Sequence, residues 1–277
     1  MNVIFSLLIQ PSDPYNNDYL NIKSIDHSLQ NVLPYYYMFE ESITENKRRY
    51  AEFCNAKFIL FTRDQEFLNF ESNHKNLCKH LTTYDVIQYY KIYLCEKLSK
   101  EYDNVLYLDY DVLIGNIKKN FFKEWSINKG IVIKQDKFDC TKFKYEKRMP
   151  SRYIKVFLAH LILSKMNIDH DLELPYYNTG IVGCNTNIST VTFFDLLKDC
   201  LIILDEIYIN KREHYNIVRF SNEIIFTVAH IINNFDLQPI SNKIWHKKAN
   251  GVDDMNSVLL HCTNKSYIER YVKYLNA

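Results

Sequence analysis

The sequence predicts an α/β fold, a mostly parallel central sheet flanked by helices, with a small mixed β region near the C-terminus. Three observations carry that expectation. Continuous apolar runs such as "VIFSLLI" (3–9) read as strands buried on both faces. Between such runs apolar residues return at helical spacing, as Ile87, Tyr90, Leu94 and Leu98 do. Strand and helix patterns alternate up to about residue 110, which is the pattern of a parallel sheet.

The elements follow in order. After the strand at 3–9, "QPSDPYNNDYLN" is rich in turn formers and "IKSIDHSLQNVL" reads as a helix. "KFILFTRD" (57–64) is a second buried strand. Thr82-Thr83-Tyr84-Asp85 supplies a capping-box start for a helix that leads into a strand at 105–108. "GIVIKQD" (130–136) is a further strand, whereas 137–175 is charged, carries two prolines and shows no clear period. "YYNTGIVGCNT" (176–186) reads as a turn into a short strand. Helical spacing returns at 190–206 and 222–233, and "FDLQPI" and "VLLHC" (258–262) are short strands. Without a repeat or a low-complexity linker, the reading is one domain over 1–277.

Composition narrows the classes of function. Hydrophobic residues make up 47% of the 277, enough for a sizeable core. Lys and Arg number 34 against 33 Asp and Glu, a net charge of +1 that gives no case for nucleic acid or an anionic membrane as partner. The seven cysteines are odd in number and form no Cys-x-x-Cys, which argues for a reducing, cytoplasmic setting over a disulfide or zinc scaffold. "MNVIFSLLIQPSD" lacks the basic start of a signal peptide, and no run of about 18 apolar residues predicts a transmembrane helix. Five glycines, 22 tyrosines and abundant Asn, Ile and Lys suggest AT-rich codon usage, as in giant viruses, protozoa or low-GC bacteria.

The run "VLYLDYDVLI" (105–114) sets two aspartates one residue apart inside apolar sequence. Carboxylates are seldom buried unless something pairs with them. Asp109 and Asp111 fall at the carboxyl end of a predicted strand, where open α/β sheets bind ligands. On an extended chain at this spacing the two side chains point the same way. They repel unless a cation lies between them, and hard divalent ions such as manganese or magnesium take oxygen ligands and bridge to a diphosphate. A solvated pair at a strand end is the plainer reading, and the apolar sequence on both sides weighs against it.

"TTYDVIQYYKIYLCEKLSKEYDNVLYLDYDVLIGNI" resembles the central segment of GT-A-fold glycosyltransferases, above all family 8, the glycogenin and galactosyltransferase-like group. In that family a helix with a basic residue runs into a strand ending in Asp-x-Asp, and Lys91 stands where arginine is usual. The likeness runs in order along most of the chain. "VIFSLLIQPSDPYNNDYL" resembles the first strand and its Tyr-containing loop. "GIVIKQD" resembles the next strand, ending in Asp136. "YYNTGIVGCNT" resembles the Asn-Ser-Gly strand and "LLHCTNK" the C-terminal His motif. The resemblance implies a GT-A fold with a Rossmann-like, nucleotide-binding half at 1–114 and a donor-sugar and acceptor half at 115–277. It implies transfer of a hexose, with retention, from UDP-glucose or UDP-galactose to the hydroxyl of a glycan, protein or lipid acceptor, and a homodimer.

By the same resemblance Asp109, Asp111 and His261 would hold Mn2+ or Mg2+. Gln10, Tyr15, Tyr19, Lys91, Tyr110, Asn178, Thr179, Gly180 and Lys265 would meet the nucleotide, diphosphate or donor sugar. The chain departs from the family in two places. Asn264 and Tyr267 stand where the C-terminal motif has Gly and Lys, so Lys265 is displaced. Ser221-Asn222-Glu223 replaces an Asp-Gln-Asp-type stretch near the anomeric carbon. Asn222 and Glu223 are the candidate catalytic residues there, although helix capping by Ser221 and Asn222 and a favourable first-turn Glu223 account for all three. Trp245 and His246, with Asn250-Gly251, are candidates for the acceptor side.

Two rivals remain. A haloacid-dehalogenase-like magnesium phosphatase would use Asp109 as nucleophile, with Lys243 and Asp253-Asp254 as its later motifs. Its first strand normally opens the domain, and here α/β sequence precedes it. A non-catalytic sugar- or partner-binding protein on the same scaffold is the other, since a fold alone does not determine function.

Overall fold

The computed structural model describes residues 1–10, 36–78, 80–116, 118–139, 151–210, 220–240, 244–249, 255–263 and 266–275. The expected helix at 22–33 lies outside them. Strand β1 (Asn2–Leu7) pairs in parallel with β2 (Ala56–Phe61) on one side and β3 (Asn104–Leu108) on the other. Beyond β3 come β6 (Glu173–Cys184), β5 (Ile131–Asp139) and β7 (Leu237–Pro239), giving the order β2-β1-β3-β6-β5-β7. Only β6 runs against the rest of this sheet. A second sheet of β4 (Val112–Ile114), β9 (Leu259–His261) and β8 (Lys247–Lys248) stands beside it.

Alternation along the strands divides the core. Ile4, Leu106 and Leu108 pack with α1 (Glu40–Phe53), Phe121 of the short α4 (Phe121–Glu124), Trp245 and Leu259. Val3, Phe5, Val105 and Tyr107, one residue over, face a larger cluster. That cluster includes α2 (Gln65–Lys75), α3 (Thr83–Leu98), α5 (Ser151–Lys165), α6 (Phe193–Asn210) and α7 (Asn222–Asn233). The sheet is therefore the middle layer of three. Helix α8 (Ser266–Leu275) joins a third cluster with Ile43, Tyr110 and Leu260.

Several local expectations hold in detail. Thr82 caps α3, and both halves of the capping box with Asp85 are present. Helix α7 covers 222–233 with Ser221 as its cap. Helix α6 begins three residues later than expected, after a 3-10 turn at Thr186–Val191.

The reading of 176–186 needs correction. Residues 176–184 belong to a 12-residue strand flanked on both sides, not to a turn and a short strand, and Asn185 and Thr186 lead out of it into the 3-10 turn. Polar Asn178 and Thr179 and the glycine that follows suggested a turn. Pairing with β3 and β5 overrides that local preference. The stretch 137–175 holds the end of β5, α5 and the start of β6, with 140–150 outside the described residues. Among the described residues no helix is long and apolar enough to cross a membrane. Cys54, Cys78, Cys95, Cys184, Cys200 and Cys262 are buried free thiols, and Cys140 lies outside the described residues.

Candidate metal centre

After β1 the chain goes to β2 on one side and returns as β3 on the other, so the strand order reverses between β1 and β3. A crevice opens at the carboxyl ends of strands at such a reversal. Here the two strand ends are tied together. Ser6 Oγ donates to the Leu108 carbonyl at 2.7 Å. Lys47, fully buried on α1, donates to Ser6 Oγ at 2.9 Å and to the Asp109 carbonyl at 2.7 Å. Burial pulls the Lys47 ammonium down to about 7, against the opposing pull of Asp109.

Beyond Leu108 the chain turns. The Val112 amide donates to the Asp109 carbonyl at 2.9 Å, and β4 then pairs with β9 so that Val112 stands opposite His261. His261 Nε2 lies 3.5 Å from Asp111 Oδ2 and 3.9 Å from Asp109 Oδ2. Simple alternation along a strand was expected to bring the carboxylates together. The turn does so instead, and β9 adds the imidazole.

One ligand atom from each of Asp109, Asp111 and His261 lies within 4.8 Å of the other two. At metal–ligand distances of about 2.1 Å, adjacent corners of an octahedron stand about 3 Å apart. The three donors thus fit one divalent ion after a small contraction. Two carboxylate oxygens and an imidazole suit manganese or magnesium, and the remaining positions are left to phosphate oxygens or water. Burial pulls His261 down to about 4, opposed by Asp109 and reinforced by Lys91, so the ring is neutral at pH 7. A neutral imidazole is the form that ligates a metal.

The surroundings hold the triad in place. The Asp109 amide donates to the Gly180 carbonyl at 2.7 Å. Asp109 Oδ1 accepts from the Tyr107 hydroxyl at 2.5 Å and lies 3.5 Å from Lys91 Nζ. Lys91, only 2% exposed, also lies over the Tyr107 ring. Gly180 is required by space. A Cβ there would stand 2.7 Å from His261 Cε1 and 2.8 Å from Asp109 Oδ2.

That glycine sits at a break in the β5–β6 register, where Ile133 faces Val182 but Lys134 faces Asn178. The irregularity swings Thr179, Gly180 and Ile181 out of the β5 ladder and towards the Asp109 turn. Asn178, half-buried, accepts from the Gly180 amide at 3.0 Å.

Asn222 and Glu223 approach the same stretch from the start of α7. Buried Asn222 donates to Thr179 Oγ1 at 3.0 Å. Glu223 is ion-paired with Lys155 of α5, accepts from the Tyr176 hydroxyl at 3.3 Å and faces the Thr179 amide at 3.4 Å. Burial and then the Glu223 charge raise Tyr176 well above its ordinary value, which keeps it a donor.

The other expected residues fall as follows. Gln10 is exposed beyond β1, with its carbonyl accepting from Arg63 at 3.0 Å. Tyr110 turns its ring into the core beside Tyr36, with Lys47 over its face. Tyr15, Tyr19 and Lys265 lie outside the described residues, as do Lys243, Asn250, Gly251, Asp253 and Asp254. Trp245 does not line an open acceptor side. It is buried against Phe121 and Trp125. His246 is buried with its Nε2 2.9 Å from His261 Nδ1.

Two partners escaped the sequence reading. Lys47 lies on a helix whose buried residues Ile43, Lys47, Tyr50 and Ala51 keep helical spacing, but a lysine in that stripe hid it. Lys155 lies in the stretch that showed no clear period.

No protein-family model and no curated protein matches the chain. Among solved structures it is similar to mouse xyloside xylosyltransferase 1 in its apo form, at 10% identity over 95% of this chain and 99% of that one, with a TM-score of 0.49. It is also similar to a glycosyltransferase involved in glycosylation of the major capsid of PBCV-1, at 10% identity over 98% of both chains, TM-score 0.45. A third is the galactosyltransferase LgtC in complex with donor and acceptor sugar analogs, at 12% identity over 100% of this chain and 95% of that one, TM-score 0.39. With each of these three TM-scores below 0.5, the functional reading stands on the site itself.

Proposed function

We propose that the protein is a metal-dependent glycosyltransferase that moves a hexose, with retention, from UDP-glucose or UDP-galactose to an acceptor hydroxyl. The observation that carries this reading is the convergence of Asp109, Asp111 and His261 at the reversal between β1 and β3, with a buried cation, Lys91, on the outer carboxylate. The three side chains would hold Mn2+ or Mg2+. When bound, the ion supplies Lewis-acid stabilisation of the charge that builds on a departing diphosphate. Lys91 adds a fixed positive centre beside it. Asn178 and the open backbone at Gly180 suit contacts to the donor sugar.

In a retaining transfer of this kind the acceptor proton goes to the leaving phosphate, so no side chain has to take it. Glu223, its oxygens already engaged by Lys155 and Tyr176, then serves to hold the start of α7 against β6 and not as a base. On this reading the chain acts as one domain, 1–114 serving the nucleotide and 115–277 the sugars.

The test is a panel of UDP-sugars followed by UDP release and calorimetry, with and without Mn2+. The expected result is one donor that binds and is slowly hydrolysed only with metal, with both signals lost in Asp111→Ala. Magnesium-dependent phosphate release from phosphomonoesters with no UDP-sugar binding would transfer the reading to a phosphatase. Donor binding that survives metal removal, with no turnover, would favour a non-catalytic sugar-binding protein.

A further inference from the structure

His261 addresses the two carboxylates through Nε2, so its other ring nitrogen governs how it can ligate. That nitrogen, Nδ1, lies 2.9 Å from His246 Nε2. Both rings are buried, with centroids 5.1 Å apart. The small sheet sets the contact. His246 leads directly into β8, whose Lys248 pairs with His261 of β9.

A neutral imidazole carries one N–H. A ring that gives its Nε2 lone pair to a metal must keep its proton on Nδ1. In a buried site that proton needs an acceptor. His246 Nε2 stands where the acceptor must be. If the hydrogen bond ran the other way, His261 would point an Nε2–H at the carboxylates and could not ligate.

We propose that His246 is a positioning residue. By accepting the His261 Nδ1–H, it holds His261 in the tautomer whose Nε2 lone pair faces Asp109 and Asp111. The inference rests on the metal-site reading above. Two features set His246 apart from a residue that merely fills space. An aliphatic side chain would occupy the same buried position without the cost of desolvating an imidazole. Among the described residues the bond to His261 is the one hydrogen bond the His246 ring makes; when its Nε2 accepts, its own proton sits on Nδ1, which has no partner there, a cost that the ligating tautomer of His261 has to outweigh. The ring is oriented towards His261 and not into a polar network of its own.

The test is Mn2+ binding to the full chain, read as loss of the free-ion EPR signal, with 14N coupling to the bound ion as the signature of His261 ligation. Four proteins are compared: wild type, H261A, H246L and H246Q. Glutamine places an acceptor oxygen close to where Nε2 stands, and leucine places none. Loss of such an outer partner typically weakens metal binding about 10- to 100-fold, so H246L should fall in that range while H246Q stays within about threefold of wild type. The 14N coupling should persist in H246Q and fade in H246L, with similar melting curves for the two. If H246L does not fold, H246N takes its place with the same expectation, because its shorter amide cannot reach Nδ1.

Wild-type affinity in H246L, or equal loss in H246L and H246Q, overturns the proposal. If H261A weakens binding and H246L does not, the role of His246 alone fails. If wild type binds no Mn2+, or H261A binds it as wild type does, the metal-site reading fails and this inference falls with it.

Discussion

Two carboxylates approach the same stretch of β6 and are treated in opposite ways. Glu223 has 9% of its side chain exposed and is saturated by an ammonium, a hydroxyl and a backbone amide. Asp109 keeps 27% of its side chain exposed. One of its oxygens is held by Tyr107, and the other faces Asp111 and His261. Glu223 is neutralised inside the fold. The pair of Asp109 and Asp111 brings two negative charges and a neutral imidazole to one point, with Lys91 at its edge. A fold that spends Glu223 on packing can lose it only at the expense of stability. A fold that gathers Asp109, Asp111 and the neutral His261 at one point gains when a cation arrives.

Substitutions at the two carboxylates should therefore have opposite effects. Asp111→Ala should reduce metal-dependent turnover of the UDP-sugar about 1000-fold, the effect expected when the charge-stabilising ion is lost, while urea unfolding shows little change. Glu223→Gln should do the reverse. It leaves the Lys155 ammonium, itself only 15% exposed, without its partner, and should cost about 3 kcal/mol in urea unfolding. Lys155→Met in the Glu223→Gln background should recover much of that loss. If Glu223→Gln abolishes turnover and leaves stability intact, the division of labour between the two carboxylates is wrong.

Acid should separate the two regions again. His261 is held near 4 by burial, and burial holds His246 well below its ordinary value. Below 6.5 the unfolded chain protonates these rings and the fold does not. The unfolded state therefore binds more protons between 6.5 and about 4, and stability falls as pH drops through that window. For His261 alone the loss is about 2 kcal/mol by pH 5, measured on the metal-free protein by urea midpoints at pH 7.5 and 5.

Gly180→Ala is the smallest change. Its methyl group would press on His261 and Asp109, and a displacement of that kind should weaken Mn2+ binding about tenfold, or about 1.4 kcal/mol. An Mn2+ affinity equal to wild type would mean that the triad is not packed against β6 as described.

Much of this was legible in the sequence, and the failures share a cause. The parallel start of the sheet, the capping box at Thr82 and the helix at 222–233 each follow from short-range pattern. The aspartates stood out because carboxylates interrupt an apolar strand, whereas His261, which by its strand alone reads as a core histidine, was singled out by the resemblance of "LLHCTNK". Lys47 did not stand out, since a basic residue on a polar helix looks like surface until α1 docks. The long strand β6 was hidden because Asn178, Thr179 and Gly180 favour a turn, and only its two neighbours make them a strand. The pairing of His246 with His261 comes from β8–β9 register, which no local pattern in the chain encodes.

The most direct measurement is an anomalous-scattering map from crystals grown with Mn2+ and UDP. The expected result is one strong manganese peak bonded to Asp109, Asp111 and His261 Nε2, with both phosphates of UDP reaching it and Lys91 alongside. Manganese bound elsewhere, or UDP seated away from the reversal between β1 and β3, would contradict it.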